Sequence, residues 1–119
     1  MAEGKERRAH PRYVCDGGVE VRSGESRGFW GTLADISMGG CYVQSFSPMP
    51  VGTELKLLIK AKGFEVQVVQ AAVVAFHPGV GMGIQFNLIE TEEHEKLEKL
   101  VAFLASTEQP TGMSGTLLN

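Results

Sequence analysis

Three arginines crowd the start of this sequence, in Glu6-Arg7-Arg8-Ala9-His10-Pro11-Arg12-Tyr13. Pro11 lacks an N–H and restricts the residue before it, so the stretch is expected to be extended or kinked rather than helical. In an extended chain Arg8 and Arg12 point to the same side at a spacing of roughly 13 Å, and a bend at Pro11 brings them closer. Two such guanidiniums can clamp an anion. The planar fork of arginine grips phosphate bidentately and its face stacks on a purine ring, which the point charge of lysine does not do. Taken alone, the same residues also read as a solvated basic tail.

A second group, Asp35-Ile36-Ser37-Met38-Gly39-Gly40, stands where a strand runs into a turn. Alternation sets Asp35 and Ser37 on one side and sends Ile36 into the core. The result is a carboxylate beside a hydroxyl. A carboxylate can accept two hydrogen bonds from the N1–H and N2–H₂ edge of guanine, and a serine hydroxyl can bond base or phosphate. Gly39 and Gly40 can take positive φ and let a ligand approach the backbone. An Asx-type turn without a ligand fits the same six residues.

Other chemistry is poorly represented. The only aspartates are Asp16 and Asp35, the three histidines His10, His77 and His94 are scattered, and no nucleophile signature joins Ser or Cys to His. Residues 79–86, GVGMGIQF, are glycine-rich but lack the P-loop lysine and open a strand, so they read as a tight turn and not a dinucleotide cradle. Cys15 and Cys41 cannot complete a zinc site and are expected to be buried free thiols. No enzyme, metal or cofactor is expected.

At 119 residues, with 43% hydrophobic and 21% charged residues, the chain has material for one globular domain. It has no apolar run long enough to cross a bilayer and no signal-peptide pattern at its start, so a cytoplasmic location without membrane insertion is expected. The net charge of −3 argues against a general DNA binder. Its distribution is uneven. Residues 1–12 carry a local +2 and residues 90–108 a local −4, which draws a small anion to the N-terminal end.

The elements that must position these groups are mostly strands. Fifteen glycines punctuate short runs rich in Val, Ile and aromatics, with strands expected at 18–22, 28–36, 41–46, 54–60, 64–76 and 82–87. Leu55, Leu57 and Ile59, and likewise Phe64, Val66 and Val68, alternate toward a core. Six such strands close into a barrel or pack as a sandwich. From Thr91 the period becomes helical: Leu97, Leu100, Val101 and Leu104 form one stripe, capped by Thr91 and with Glu92 and Glu93 at the positive end of the dipole. The helix is expected over about 91–105, packed on the barrel, with His94 on a solvated charged face. Residues 106–119 are expected to form a flexible tail.

The two groups together are more specific than either alone. An RxxxR (Arg8, Arg12), followed after 22 intervening residues by DxSxxG (Asp35, Ser37, Gly40), resembles the two-part signature of the PilZ domain family. Residues 48–60 and 79–86 resemble that family's later strands, so the likeness runs from residue 6 to about 104. It implies a mainly all-β fold, a six-stranded antiparallel barrel with a C-terminal helix over 6–105, preceded by a flexible 1–5. It also implies a bacterial receptor for the second messenger cyclic di-GMP, in which Arg8 and Arg12 hold phosphates and stack on or bond guanine, Asp35 and Ser37 read guanine edges, and Gly40 shapes the turn. An extra arginine at the place of Arg7 goes, in that family, with an intercalated pair of ligands.

Such a receptor, expected as a monomer, signals to an unidentified downstream protein through a surface change. Two alternatives from other classes are a single-stranded nucleic-acid binder stacking bases on Phe29, Trp30 or Tyr42, and an interaction adaptor that needs no ligand. The acidic charge weighs against the first and the intact motifs against the second. Residues 1–12 have almost no large apolar side chain and three like charges, so little offsets the entropy of fixing them until an anion arrives. Amide order parameters over this segment should be low without cyclic di-GMP and rise with it; equal rigidity in both states contradicts the expectation.

Overall fold

The computed structural model describes residues 10–24 and 27–117, with side chains described as far as Thr107. Six strands, β1 (Tyr13–Arg22), β2 (Phe29–Ile36), β3 (Gly40–Gln44), β4 (Glu54–Ala61), β5 (Phe64–His77) and β6 (Gly81–Leu88), are followed by one helix, α1 (Thr91–Leu117). The strands close into a barrel in the order β1-β2-β3-β6-β5-β4, every neighbouring pair antiparallel. Closure leaves no sheet edge running the length of the barrel.

Alternation fills the interior. Val19, Val21, Leu33, Ile36, Val43, Ile59, Val66, Val68, Val73 and Met82 are all buried at the centre. Cys15 and Cys41 join them as free thiols. At the β4–β5 hairpin Lys62 and Gly63 both have positive φ, 54° and 84°. That pair of left-handed residues matches the twist of the strands it joins. β1 begins at Tyr13, five residues before the expected start, and passes through Gly17 and Gly18. These glycines mark close strand packing instead of a boundary: a Cβ on Gly17 would lie 2.8 Å from the Cβ of Ala61 on β4.

The helix packs on β5 and β1. Leu97, Leu100 and Leu104 are buried, with Val101 half-buried beside them and Phe103 6.4 Å from the Phe64 ring. Burying each leucine contributes roughly 2 kcal/mol, so the apolar stripe dominates docking. The first helical bond, His94 N–H to the Glu90 carbonyl at 2.8 Å, puts Glu90 at the cap position expected of Thr91. The helix also continues past 105 to Leu117, where a loose tail is expected from sequence. The apolar stripe ends at Leu104, and the sequence beyond it disfavours helix, since Pro110 gives up a backbone bond and Gly112 and Gly115 are poor helix formers, which is why the extension was not expected. No described helix is long and apolar enough to cross a membrane.

Polar contact fixes where the helix sits along the barrel. β5 extends beyond its pairing with β6, which begins at Gln70, and the Gln67 N–H on this overhang donates to Glu93 Oε1 at 2.8 Å. The bond holds the Glu93 carboxyl below its usual range, helped by Lys96 Nζ at 3.0 Å and opposed by burial. Because the folded pKa is the lower one, this contribution is complete above the ordinary carboxylate range and is lost as pH falls through the folded value. Glu93→Ala should cost about 1 kcal/mol in denaturant unfolding at neutral pH, with the difference from the parent shrinking in acid. A difference that persists unchanged in acid would contradict the assignment.

Candidate functional site

Asp35 faces outward because β2 is irregular just before it. Leu33 pairs with Val43, yet Asp35 pairs with Tyr42, so Ala34 is one residue too many against β3. Leu33 is buried, and strict alternation would bury Asp35 as well. The bulge changes the parity instead: Asp35 emerges with its side chain 28% exposed, and Ile36 enters the core. β1 is irregular at the same level, between Val14 and Gly17. Val14, paired with Asp35, consequently stands exposed beside it.

The two motif groups meet here. Arg12 Nη1 lies 3.4 Å from Asp35 Oδ1, across 23 positions of sequence. Both groups are partly exposed, so the pair contributes at most about 1 kcal/mol and can rearrange easily. His10 completes the contact from the N-terminal side, its ring close enough that a Cβ on Gly39 would come within 2.9 Å of Cδ2. Nothing in the sequence marks His10 beyond its place between Arg8 and Arg12. Arg7 and Arg8 lie outside the described residues.

Ser37 differs from expectation. It is buried, and its Oγ accepts the N–H groups of Gly39 and Gly40 at 3.0 and 3.2 Å while its own N–H donates to the Gly40 carbonyl at 2.8 Å. The hydroxyl organises the turn; it does not stand beside the Asp35 carboxylate in the open. The glycines of this turn act by close approach and not by the positive φ open to them. The described glycines with positive φ are Gly24, Gly52, Gly63 and Gly79. Gly40 is required because a Cβ there would run into the Ile84 carbonyl oxygen, whereas a Cβ at Gly39 would meet the His10 ring; the Gly39 carbonyl accepts the Phe86 N–H at 2.9 Å. The turn is clamped onto β6.

Behind this surface Cys41 is fully enclosed. Burial, and then the Asp35 carboxylate, push its thiol well above the usual range, with Arg12 opposing. Burial likewise raises Cys15. Neither thiol is poised as a nucleophile. His94, which shares the helix with five glutamates, pairs with Glu98 at 3.7 Å. Among the described residues no group of three or more His, Cys, Asp or Glu is placed to hold a metal.

The arrangement offers a guanidinium, a carboxylate acceptor and a rigid backbone turn, on the outside of a barrel. Residues 6–103 match the PilZ domain. The chain belongs to the PilZ domain family. No curated protein matches it by sequence. Among solved structures it is similar to K. pneumonia MrkH in complex with c-di-GMP (TM-score 0.73, 18% identity, covering 88% of this chain and 54% of that one). It is also similar to the Bacillus subtilis inhibitor of motility MotI/DgrA (TM-score 0.70, 17% identity, 87% and 54%). A third is the PilZ domain of YcgR from Escherichia coli with c-di-GMP (TM-score 0.58, 12% identity, 92% and 99%). The chain spans about half the length of MotI and of MrkH. These likenesses establish the barrel and helix.

The PilZ barrel separates the aromatics named as possible base-stacking residues. Phe29 packs against the core, and Trp30 lies five residues along β2 from Asp35, roughly 17 Å away. Trp30 sits instead with Phe46 and Val80 on a cavity of about 550 Å³ whose described lining is uncharged. They do not form one track with Tyr42. The Ser37 turn makes a direct prediction. Ser37→Ala leaves two N–H groups without their acceptor and should lower stability by about 1–3 kcal/mol. Gly40→Ala forces backbone apart and should cost about the same. Denaturant unfolding checks both, and an unchanged midpoint for either would remove the clamp from this account.

Proposed function

We propose that this PilZ domain is a non-catalytic receptor for cyclic di-GMP that signals by rearranging its N-terminal arginine segment against the barrel. The observation that carries the reading is the meeting of Arg12 and Asp35 at 3.4 Å, which joins the two halves of the motif on one surface. Two of the similar structures, MrkH and YcgR, have c-di-GMP in them, which supports the same ligand here.

In this reading Asp35 accepts the N1–H and N2–H₂ of one guanine, while Arg12 leaves it to grip a phosphate, joined by Arg8. The exchange favours the ligand because an exposed ion pair of at most about 1 kcal/mol gives way to charge-assisted contacts of about 1.5–3 kcal/mol each. Ser37 acts through the turn, whose Gly39 and Gly40 backbone lets the ligand approach closely. Arg7 supplies a third guanidinium, enough positive charge and stacking surface for an intercalated pair of ligands carrying about four phosphate charges. The ordered segment is then a new surface for a downstream protein.

Calorimetry with cyclic di-GMP, against GTP and a single-stranded oligonucleotide, tests the reading. The parent should bind only cyclic di-GMP, with a ratio near two that falls toward one in Arg7→Ala. Arg8→Ala and Arg12→Ala should each weaken binding roughly 10-fold to over 100-fold with melting temperature unchanged, and Asp35→Ala should weaken it through lost guanine recognition. Normal binding by Arg12→Ala, or no selectivity among the three ligands, would overturn the proposal. A ratio of one in both parent and Arg7→Ala would remove the ligand pair alone.

A further inference from the structure

The outer face beside Asp35 carries two side chains that neither the core nor the motif explains. Pairing sets Val14, Asp35, Tyr42, Gly83 and Ala75 side by side across β1, β2, β3, β6 and β5. Directly opposed residues project from the same face with Cβ atoms about 4.5–5.5 Å apart, so Val14 and Tyr42 flank the carboxylate. Val14 is 72% exposed, an apolar side chain left in water at the centre of a polar site.

Tyr42 is held in one orientation from two directions. Its hydroxyl lies 2.8 Å from His77 Nδ1, the ring centroids 5.8 Å apart. Beneath it are the glycines of β6: a Cβ on Gly81 would lie 2.7 Å from Cε2 of the ring, and one on Gly83 would touch Cδ1 at 3.9 Å. Their missing side chains let the ring lie down on the strand. Backbone lies beneath the ring, and the residue is half-buried, so part of the ring is left open to solvent. A carboxylate fixes a base within the plane of its hydrogen bonds but does nothing for the base's faces. An aromatic ring already anchored by a hydrogen bond supplies that contact with little further loss of side-chain freedom.

We propose that Tyr42 is a stacking platform for the guanine whose N1–H and N2–H₂ edge Asp35 accepts, with Val14 an apolar contact on the opposite flank and His77 a positioning residue for the ring. This rests on reading the site as one for cyclic di-GMP. Stacking on an aromatic side chain is sequence-tolerant, so Tyr42 sets affinity while Asp35 sets the choice of base.

The test uses Tyr42→Leu, which keeps an apolar cover over Gly81 and Gly83, and Tyr42→Phe, which keeps the ring and loses its anchor. Calorimetry should show cyclic di-GMP binding weakened roughly 5-fold to 100-fold in Tyr42→Leu, within the range of one base–aromatic stack, and by no more than about 3-fold in Tyr42→Phe. Proton NMR supplies a readout that a purely structural role would not move: the upfield shift of the bound guanine H8 resonance should be smaller with Tyr42→Leu than with the parent and Tyr42→Phe, any stacking between ligands being common to all three. Parent-like affinity and the same H8 shift in Tyr42→Leu would overturn the platform while leaving the receptor in place. Failure of the parent itself to bind would overturn both.

Discussion

The parity change at Ala34 is the constraint on which the site depends. β2 must carry Leu33 into the core and, three residues later, Ile36 into the core again, and a regular strand cannot do both. The extra residue resolves the conflict by turning Asp35 outward. A carboxylate facing the interior would stand among Cys41, Val43 and Ile84 with no compensating charge, a cost far above anything an exposed pair returns. The bulge thus serves packing and the proposed recognition at once. It also places the carboxylate level with Val14 and Tyr42, where flat apolar surface is at hand.

Rigidity and looseness are divided between the two halves of the motif. The Asp35–Gly40 half is fixed by the barrel: Ile36 is a core residue, Ser37 spends its hydroxyl on the turn, and Gly39 and Gly40 are held against β6. Among the described residues, the Arg12 half is tied by a partly exposed ion pair and by His10 resting on Gly39. A preformed acceptor facing a weakly held donor is what the proposed switch requires, since a ligand could then displace Arg12 without disturbing the core. The helix, anchored through its leucines and Glu93 on β5 and β1, lies outside this exchange.

Much of this was legible in the residues. Alternation in Leu55, Leu57 and Ile59 identified β4, and the Leu97, Leu100, Leu104 stripe identified the docked helix face, because both are direct consequences of burial. Arg12 and Asp35 were legible as parts of one site through the resemblance of the two motif groups to the PilZ signature. The bulge was not, since Ala34 is an unremarkable strand residue and its effect appears only in register with β3. The steric role of Gly40 was hidden for a related reason, since it depends on Ile84 of β6, more than forty residues away in the chain, whereas the Ser37 hydroxyl bonds within its own turn. Tyr42 read only as one aromatic among several until pairing set it beside Asp35.

The central claim is that ligand recognition occurs on the outer surface joining Arg12, Asp35 and the 37–40 turn. An amide NMR titration of the intact chain with cyclic di-GMP tests this most directly. The account predicts that the largest shift changes fall on residues 10–14 and 35–42, with residues around Trp30, Phe46 and Val80 little affected. Changes concentrated on that distant cavity, with the Asp35–Gly40 turn unmoved, would contradict it.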